Sequence, residues 1–228
     1  MAKRIKINVG DIFYLKLKIN KYIFCKILFS VDKQYDKVKI KKKNDIFNYL
    51  DGLPKDTYLI EVFEGLFDTP LFERKNSKVL IPRMYVVLES LDDIELGIIE
   101  NQKVDPKKVE FPEILFPYSE NKKTVVRLQR GELILITKMT ENEYEGLDLE
   151  ESTHDISMVP FIALNMMGLG NLIDDEEDYL RNETVKNLDI LYHPKLRKKI
   201  YEDLKIDPNK SYYELSKELG YDLSRFYE

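Results

Sequence analysis

The chain has 228 residues, of which 43% are hydrophobic and 34% are charged, and its net charge is -5. The apolar fraction is sufficient for a packed core, in one large domain or two small ones. No apolar run approaches the roughly 18–20 residues of a transmembrane helix, which argues against a helical membrane protein. The basic N-terminus lacks the apolar region of a secretory signal, so we expect a soluble, cytoplasmic protein.

Charge is distributed unevenly along the chain. Residues 1–130 carry 25 lysines and arginines against 19 acidic residues, a balance of +6, whereas residues 131–228 carry 11 against 22, a balance of -11. Such an asymmetry indicates two structural parts and a charged partner, or two parts that each solvate their own surface. We place the boundary at residue 138, with a β-rich domain over 1–138 and an acidic, mainly helical region over 139–228.

The first predicted element is a β-hairpin over Val9–Leu28. Apolar Phe13, Leu15 and Leu17 alternate with polar or lighter residues, and a second alternating run follows the polar break at Asn20-Lys21. Two runs of period 2 around a tight polar break are typical of a hairpin.

Four further strand predictions follow in the first half. Lysines alternate with apolar residues in Lys37–Lys43, which predicts an edge strand whose lysines discourage sheet-to-sheet pairing. The same residues also fit a phosphate-binding stripe. The other strands are predicted over Tyr58–Phe63, Val79–Leu88 and Ile94–Glu100, and Pro82 favours the beginning or the edge of its strand.

Proline and glycine divide the next part of the sequence. Phe111–Tyr118 has two prolines among large apolar residues, so we expect it to lie across the sheet and cover an edge or an end. Thr124–Leu128 and Glu132–Thr137 are predicted to form a closing hairpin through Arg130-Gly131. The near-continuous apolar run over residues 132–136 favours a strand buried on both faces.

The region beyond residue 138 has the pattern of short helices. Glu141–Asp155 is acidic and aperiodic, which predicts a loop or linker. Val159–Leu169 is apolar and ends among glycines, as expected of a short buried helix. The carboxylates of Asp174–Asp178 suit the first turn of another helix. Two more helices are predicted, from His193-Pro194 to Pro208 and from the capping-box pair Ser211 and Glu214 to Gly220.

These elements predict an α+β fold, with an N-terminal, twisted, mostly antiparallel β-sheet or partly open barrel and a C-terminal helical part. Inward positions of the strands give the predicted core. Its residues are Phe13, Leu15, Phe24, Ile27, Val62, Val86, Ile98, Leu133 and Leu135.

Sequence patterns of catalysis are absent: the chain has no Gly-x-Ser-x-Gly, no P-loop and no His-Glu-x-x-His. One cysteine, Cys25, and two histidines, His154 and His193, cannot supply the usual four ligands of zinc. We expect Cys25 to be a small buried residue without an intramolecular disulfide. Gly168-Leu169-Gly170 holds only part of a dinucleotide pattern and follows no clear strand. We therefore predict no catalytic, cofactor-binding or metal-binding residues and a binding protein in place of an enzyme.

The acidic run Asp174–Asp178 has three interpretations. It is a solvated helix N-terminus, a surface for protein interaction, or a cation site. The last lacks the alternating ligands and the central glycine of a calcium loop.

Several short pieces of sequence occur in a defined order over about residues 8–118. They are Val9–Phe13 with Leu15–Leu17, Tyr22–Leu28, Ile60–Phe63, Leu80–Pro82, Leu96–Ile99 and Phe111–Glu113. In this order and spacing, the region resembles the immunity protein 26 family of bacterial polymorphic toxin systems. The residues that carry the family pattern in structural positions are Gly10, Asp11, Phe13, Pro82, Leu96, Phe111 and Pro112.

This sequence departs from the family in having no tryptophan. Family members usually have one in the segment where Leu96 stands here. If that tryptophan packs the core, leucine with a neighbouring aromatic residue replaces it. If it contacts the toxin, the partner of this chain differs.

The resemblance implies a non-catalytic inhibitor that binds the effector domain of a cognate toxin and occludes its active or substrate-binding site. Many such domains are nucleases with basic clefts, to which an acidic surface is complementary. The residues predicted to form that surface are Glu141, Glu143, Glu145, Asp148, Glu150, Glu151, Asp174, Asp175, Glu176, Glu177 and Asp178. The first alternative is a nucleic-acid-binding or regulatory β-barrel module that uses Lys37–Lys43 and neighbouring aromatic residues, which the net negative charge disfavours. The second is a small hydrolase that uses carboxylates, for which no group of residues stands out. No cofactor and no membrane partner is predicted.

Overall fold

The computed structural model describes residues 6–38, 47–73, 77–89, 94–120, 123–140, 143 and 153–228. The chain forms two compact units whose segments alternate along the sequence. Unit 1 comprises Met1–Lys33, Lys55–Val104 and His154–Thr184, and unit 2 comprises Gln34–Pro54, Asp105–Thr153 and Val185–Glu228. Residue 138, the boundary predicted from the change from strand patterns to acidic and helical patterns, lies inside unit 2. There the amide of Val126 donates a hydrogen bond to the carbonyl of Met139 at 2.9 Å.

The structure has two sheets and several short helices, which confirms the predicted α+β class. The strands are β1 (Asp11–Lys16), β2 (Tyr22–Ser30), β3 (Thr57–Phe63), β4 (Val79–Val87), β5 (Glu95–Asn101), β6 (Glu113–Glu120), β7 (Lys123–Arg130), β8 (Leu133–Ile136) and β9 (His154–Asp155). The sheet of unit 1 has the order β5-β1-β2-β3-β4-β9, and its only parallel pair in the described residues is β4 with β9. The sheet of unit 2 is antiparallel and has the order β6-β7-β8.

The predicted N-terminal hairpin is confirmed as β1 and β2, which pair antiparallel with Phe13 opposite Cys25. Both side chains are fully buried. In the turn, the amide of Leu17 donates to the carbonyl of Lys21 at 2.8 Å, and Asn20 adopts a φ of 56°. Asparagine tolerates this left-handed conformation better than most residues, which explains its place in the polar break.

Gly10 and Asp11 fix the start of β1. Gly10 has a φ of 92°, and a Cβ there would lie 2.5 Å from the carbonyl oxygen of Gln102, so a side chain is excluded by both conformation and space. The carboxylate of Asp11 accepts hydrogen bonds at 2.7 Å from the backbone amide of Asn8 and from Nδ2 of Asn101. The Gly-Asp pair therefore joins the beginning of β1 to the end of β5.

The strands predicted over Tyr58–Phe63 and Val79–Leu88 correspond to β3 and β4. Pro82 lies in the first half of β4, where the register with β3 shifts and β9 has not begun to pair. A proline is tolerated there because no regular ladder needs its missing amide.

The core position predicted for Ile98 is wrong: its side chain is 41% exposed. Ile98 lies on β5, which pairs with β1 alone at the edge of the sheet. An edge strand has a neighbour on one side only, so an alternating pattern in the sequence does not ensure that its side chains are covered. Leu96 on the same strand is buried.

The prediction of an edge strand over Lys37–Lys43 is wrong for the residues that are described. A π-helical turn, Val31–Tyr35, leads directly into a short helix α1 (Asp36–Val38), which contains Lys37 and Val38. Residues 39–43 lie outside the described part of the chain.

Two predictions in the region of unit 2 are also wrong. Phe111–Tyr118 does not lie across a sheet, because most of it belongs to β6, which pairs with β7 along its full length. Pro117 is tolerated there because β6 is an edge strand. The run over 132–136 is not buried on both faces, since β8 is the other edge and Ile136 is 40% exposed. The hairpin joining β7 and β8 is confirmed.

The longer helices are α2 (Val159–Met166), α3 (Pro194–Leu204) and α4 (Tyr212–Glu218), in agreement with the predictions. The capping box is present: the amide of Glu214 donates to Ser211 Oγ at 3.2 Å, and the amide of Ser211 donates to Glu214 Oε2 at 2.9 Å. Short 3-10 turns join these elements. They are Tyr49–Gly52, Pro106–Lys108, Ile156–Met158, Gly170–Leu172, Asp175–Leu180, Val185–Asn187, Ile190–Tyr192 and Leu223–Tyr227.

Two predictions about the acidic segments need correction. The segment after Asp174 forms a 3-10 turn that is interrupted at Glu177, and not an α-helix. The predicted loop over Glu141–Asp155 ends in β9, where His154 pairs with Val86 of β4. Residues 141, 142 and 144–152 of this loop are outside the described residues.

Each unit has its own core. Of the predicted core residues, Phe13, Leu15, Phe24, Ile27, Val62 and Val86 are buried in unit 1, and Leu133 is buried in unit 2. Leu135 is partly buried and packs on a cluster formed by both β7 and α3. The buried members of that cluster are Leu115, Val126, Leu128, Met139, Ile190, Ile200 and Tyr201.

Candidate functional site

A short apolar helix, α2, forms the floor of a groove in unit 1. It has Pro160 in its first turn, where the fixed φ of proline is favourable, and it ends before Gly168, which has a φ of 74°. Apolar residues occur on all sides of α2, so other residues of the protein must pack against every face of the helix to shield it from water. Ile162 and Ala163 are buried, whereas Phe161 is only half-buried and lines the groove.

Hydrogen bonds from α2 and from Arg181 fix one wall of the groove. Asn165 Nδ2 donates to the carbonyl of Leu180 at 2.7 Å and to that of Glu183 at 2.9 Å. Arg181 Nη2 donates to the carbonyl of Ile173 at 3.0 Å, and its Nη1 lies 2.6 Å from Asp178 Oδ1. The segment over residues 170–183 is therefore held in place although it contains no α-helix.

The opposite wall is the turn between β1 and β2. The groove between these walls has a volume of about 470 Å³. This volume lies within the range of roughly 300–1,000 Å³ found for ligand sites in proteins. Its apolar lining includes Leu17, Ile19, Met158, Phe161, Leu164 and Leu172.

Three large apolar side chains of the groove are exposed to solvent. Ile19 is 42% exposed, Leu172 is 38% exposed and Tyr179 is 75% exposed. All three line the same groove and come from both of its walls. Contiguous exposed apolar residues bordered by polar groups are typical of surfaces that bind other molecules. An exposed tyrosine offers a large contact area together with a hydroxyl group.

Charged side chains border this apolar surface. Lys18 Nζ, on the β1–β2 turn, lies 2.7 Å from Glu177 Oε1 on the opposite wall. The hydrogen bond from Lys18 to Glu177 is the main reason that the pKa of Lys18 is raised, with smaller contributions from the charges of Glu177, Asp174 and Glu176. Within the described residues, the carboxylates of Asp174 and Glu176 have no hydrogen bond or ion pair of their own. The rim therefore carries more negative than positive charge.

A second lysine lines the groove but is paired outside the acidic run. Lys16 Nζ lies 2.8 Å from Glu95 Oε2 on the neighbouring strand β5. This hydrogen bond raises the pKa of Lys16, so the lysine stays protonated. Because its charge is matched by Glu95, it does not offset Asp174 and Glu176.

The structure brings only part of the predicted acidic surface together. Asp174 and Glu177 line the groove, and Glu176 and Asp178 lie in the same turn. Glu143 belongs to unit 2, where Lys199 Nζ lies 2.6 Å from its carboxylate, and this hydrogen bond lowers the pKa of Glu143. Asp175 occupies the same turn of unit 1 as its neighbours. The remaining predicted residues lie outside the described part of the chain: Glu141, Glu145, Asp148, Glu150 and Glu151.

The residues on which the predicted resemblance rests occupy packing and turn positions. Phe13 and Leu96 are buried in unit 1, on strands that pair with each other. Phe111 is buried in unit 2, with its ring centroid 4.6 Å from that of Tyr212, and Pro112 follows it in a buried position. None of the seven residues lines the groove. Leucine at position 96 therefore acts as a core residue here.

Unit 2 contains a buried ionic cluster that the sequence did not suggest. Glu113 is fully buried, and its carboxylate accepts two hydrogen bonds from Arg197, at 2.6 Å and 2.9 Å. Arg130, which is 2% exposed, lies 3.7 Å from Glu113 and also pairs with Glu110. Arg130 Nη1 donates to the carbonyl of Lys210 at 3.2 Å. The cluster links β6 and β7 to α3 and to the loop after it. Its contacts therefore hold these elements of unit 2 together.

The cysteine and the two histidines considered in the sequence analysis are distributed over both units. Cys25 is buried in β2, and burial raises the pKa of its thiol. His154 is buried in β9, and burial lowers its pKa. His193 Nε2 lies 2.6 Å from the carbonyl oxygen of Lys186. Among the described residues, no group of three or more histidines, cysteines and carboxylates is placed to hold a metal ion. In the same part of the chain, no helix is long and apolar enough to cross a membrane.

In comparisons with known proteins, no family model, no curated protein and no solved structure matches this chain.

Sequence reasoning found the acidic wall of the groove but missed its apolar part. Ile19 stands between Lys18 and Asn20 in a polar turn, and Tyr179 directly follows the acidic run. A large apolar residue inside a polar segment was the signal available for each. What remained hidden was that the two segments, separated by about 160 positions, face one groove.

Proposed function

We propose that this protein is an immunity protein that binds a cognate polymorphic toxin domain and neutralises it without catalysis. The observation that carries the proposal is the groove of unit 1, which exposed Ile19, Leu172 and Tyr179 line together with Asp174, while Glu176 lies in the same turn. Large apolar anchors surrounded by a polar rim are the usual anatomy of a protein–protein interface.

The chemistry of the groove suits an inhibitor. Apolar side chains supply contact area that is removed from water on binding, which lowers the dissociation rate. The acidic rim accelerates the encounter with a basic surface and competes there with nucleic-acid phosphates. A toxin nuclease with a basic substrate cleft has the complementary surface. When bound in the toxin's cleft, this protein would exclude the nucleic-acid substrate sterically and by electrostatic repulsion.

The resemblance of residues 8–118 to the immunity protein 26 family supports the same proposal. The positions that carry it keep the strands and turns in place, as Gly10 and Asp11 do at the start of β1. We assign the activity to the cytoplasm of the producing cell, where a toxin nuclease would meet its substrate.

Co-expression with a toxin tests the proposal. The polymorphic-toxin domain encoded beside this gene is induced in a sensitive host, with and without this protein, and a catalytically inactive toxin is used for pull-down. We expect growth to be rescued and a stable complex to be recovered. Absence of both, with an active toxin and a folded chain, would contradict the proposal. The nucleic-acid-binding alternative would then be tested by RNA binding over a salt titration.

A further inference from the structure

We propose that the groove of unit 1 binds a basic segment of the partner protein that inserts one large apolar side chain. The proposed function supplies the identity of the partner, a toxin domain, and this inference deepens it by naming the chemistry of the bound segment. That chemistry is argued from the groove alone.

The apolar part of the argument is the exposure of the groove residues. A volume of about 470 Å³ lined by Leu17, Phe161 and Leu164 accommodates an aromatic or long aliphatic side chain. Ile19 and Tyr179, on opposite walls, are 42% and 75% exposed and would cover such a side chain from both sides. Their burial on binding is favourable because apolar surface leaves water.

The charges of the rim determine which residues flank the inserted side chain. Asp174 and Glu177 line the groove, and Glu176 lies in the same turn, where its charge acts on Lys18. These three carboxylates outnumber the one ammonium group that pairs with them, that of Lys18. Two further pairs in this part of unit 1 are balanced, since Lys16 pairs with Glu95 and Asp178 pairs with Arg181. A segment with lysine or arginine beside its apolar residue complements this rim, and an acidic segment is repelled by it.

The ion pair of Lys18 and Glu177 provides a specific test, because it joins the two walls. Glu177 is 20% exposed, so its carboxylate is partly shielded, whereas Lys18 is 67% exposed. A cationic side chain of the partner would compete with Lys18 for Glu177. Removing the charge of Lys18 should therefore strengthen the binding of a basic segment, whereas it would weaken the binding of an acidic one.

The experiment is a selection from a random peptide library displayed on phage, with the full chain immobilised. A groove variant with Leu172→Ser and Tyr179→Ala is panned in parallel, and Leu71→Ser is the matched control. Leu71 is 73% exposed and belongs to unit 1 but does not line the groove. Affinities of the enriched peptides are then measured by fluorescence anisotropy.

We expect the enriched peptides to carry one aromatic or large aliphatic residue flanked by lysine or arginine. They should bind the groove variant about tenfold or more weakly than the unchanged chain, which is the scale of an interface anchor. Leu71→Ser should have no effect, and Lys18→Met should tighten binding several-fold. The inference is overturned if the enriched peptides are acidic or neutral, bind the groove variant equally well, or respond oppositely to Lys18→Met. It is overturned as well if no peptide is enriched.

This result is independent of the toxin experiment. Peptides that behave as expected, together with no rescue from any adjacent toxin, would leave the groove as a basic-segment site and remove the immunity function. Rescue by the chain, with peptides that ignore the groove, would keep the immunity function and place the toxin contact elsewhere.

Discussion

The two units use charged residues in opposite ways. In unit 2, Glu113 and Arg130 are almost fully enclosed, and the carboxylate of Glu113 pairs with both Arg130 and Arg197. In unit 1, Asp174 and Glu176 remain in solvent at the rim of an apolar groove. Charges that are buried must be paired, since removing them from water costs several kcal/mol each. Charges left at a surface contribute little to folding and are available to a partner.

The largest expected effect is on the stability of unit 2. Replacing Glu113→Ala leaves the guanidinium groups of Arg130 and Arg197 without their shared carboxylate. Breaking a buried pair in this way typically costs about 3–5 kcal/mol. We expect a loss of this size in urea denaturation followed by circular dichroism.

The control for Glu113 is Glu202→Ala on α3. Its carboxylate lies 3.8 Å from Lys198, and the two side chains are 67% and 75% exposed. We expect little or no change in stability, because exposed pairs are screened by solvent. Equal losses for both variants would mean that burial does not distinguish these ion pairs.

The next effect is on binding at the groove of unit 1. Tyr179→Ala should weaken the proposed complex with a toxin domain by about 2 kcal/mol, or roughly 30-fold in Kd, as for a central interface residue. It should leave the stability unchanged, because the side chain is 75% exposed. Isothermal titration calorimetry measures the first effect and thermal unfolding the second. Leu71→Ala, 73% exposed and outside the groove, should change neither.

A pH effect distinguishes a buried ionisable group in unit 1 from the paired groups of unit 2. His154 is 8% exposed, and burial lowers its pKa. The unfolded chain takes up a proton at this residue below about pH 6.5, whereas the folded chain resists it. The contribution of neutral, buried His154 to the free energy of unfolding is therefore fully present above that pH. It is lost as the pH falls, by at most about 1.4 kcal/mol per pH unit.

We expect His154→Gln to reduce this dependence, measured as the difference in unfolding free energy between pH 7.5 and pH 5. His193→Gln serves as the comparison, because His193 is only partly buried and its Nε2 lies 2.6 Å from a carbonyl oxygen. An unchanged pH dependence in His154→Gln would show that burial of this imidazole does not shift its proton uptake.

The smallest effect is on the rate of association. Asp174→Asn with Glu176→Gln should lower the association rate of the proposed toxin complex several-fold at low salt and reduce the salt dependence of that rate, while the dissociation rate changes little. Surface plasmon resonance at two ionic strengths measures both rates. Glu73→Gln with Glu89→Gln, two exposed carboxylates of unit 1 outside the groove, is the charge-matched control. Unchanged association after charge reversal at Asp174, Asp175, Glu176 and Glu177 would remove the acidic rim from the mechanism.

Much of the local structure was predictable because it depends on neighbouring residues. The alternation in β1 and β2, the glycine after α2 and the Ser211–Glu214 capping box are patterns within a few positions of the chain, and each is present. The wrong predictions concern whether segments distant in sequence cover a side chain. Ile98 and Ile136 have the pattern of core residues, but they lie on edge strands and are about 40% exposed.

In the candidate site, too, local features were predictable from the sequence and contacts between distant segments were not. The sequence by itself determined an acidic run over residues 174–178 and an apolar helix before it, since both are properties of contiguous residues. Only the tertiary structure decided that the β1–β2 turn stands opposite that run, with Lys18 at 2.7 Å from Glu177. It likewise paired Glu113 with Arg197, 84 positions away. The free energy of such contacts comes from burying surfaces that the chain brings together over long distances, and no local pattern of residues records which surfaces meet.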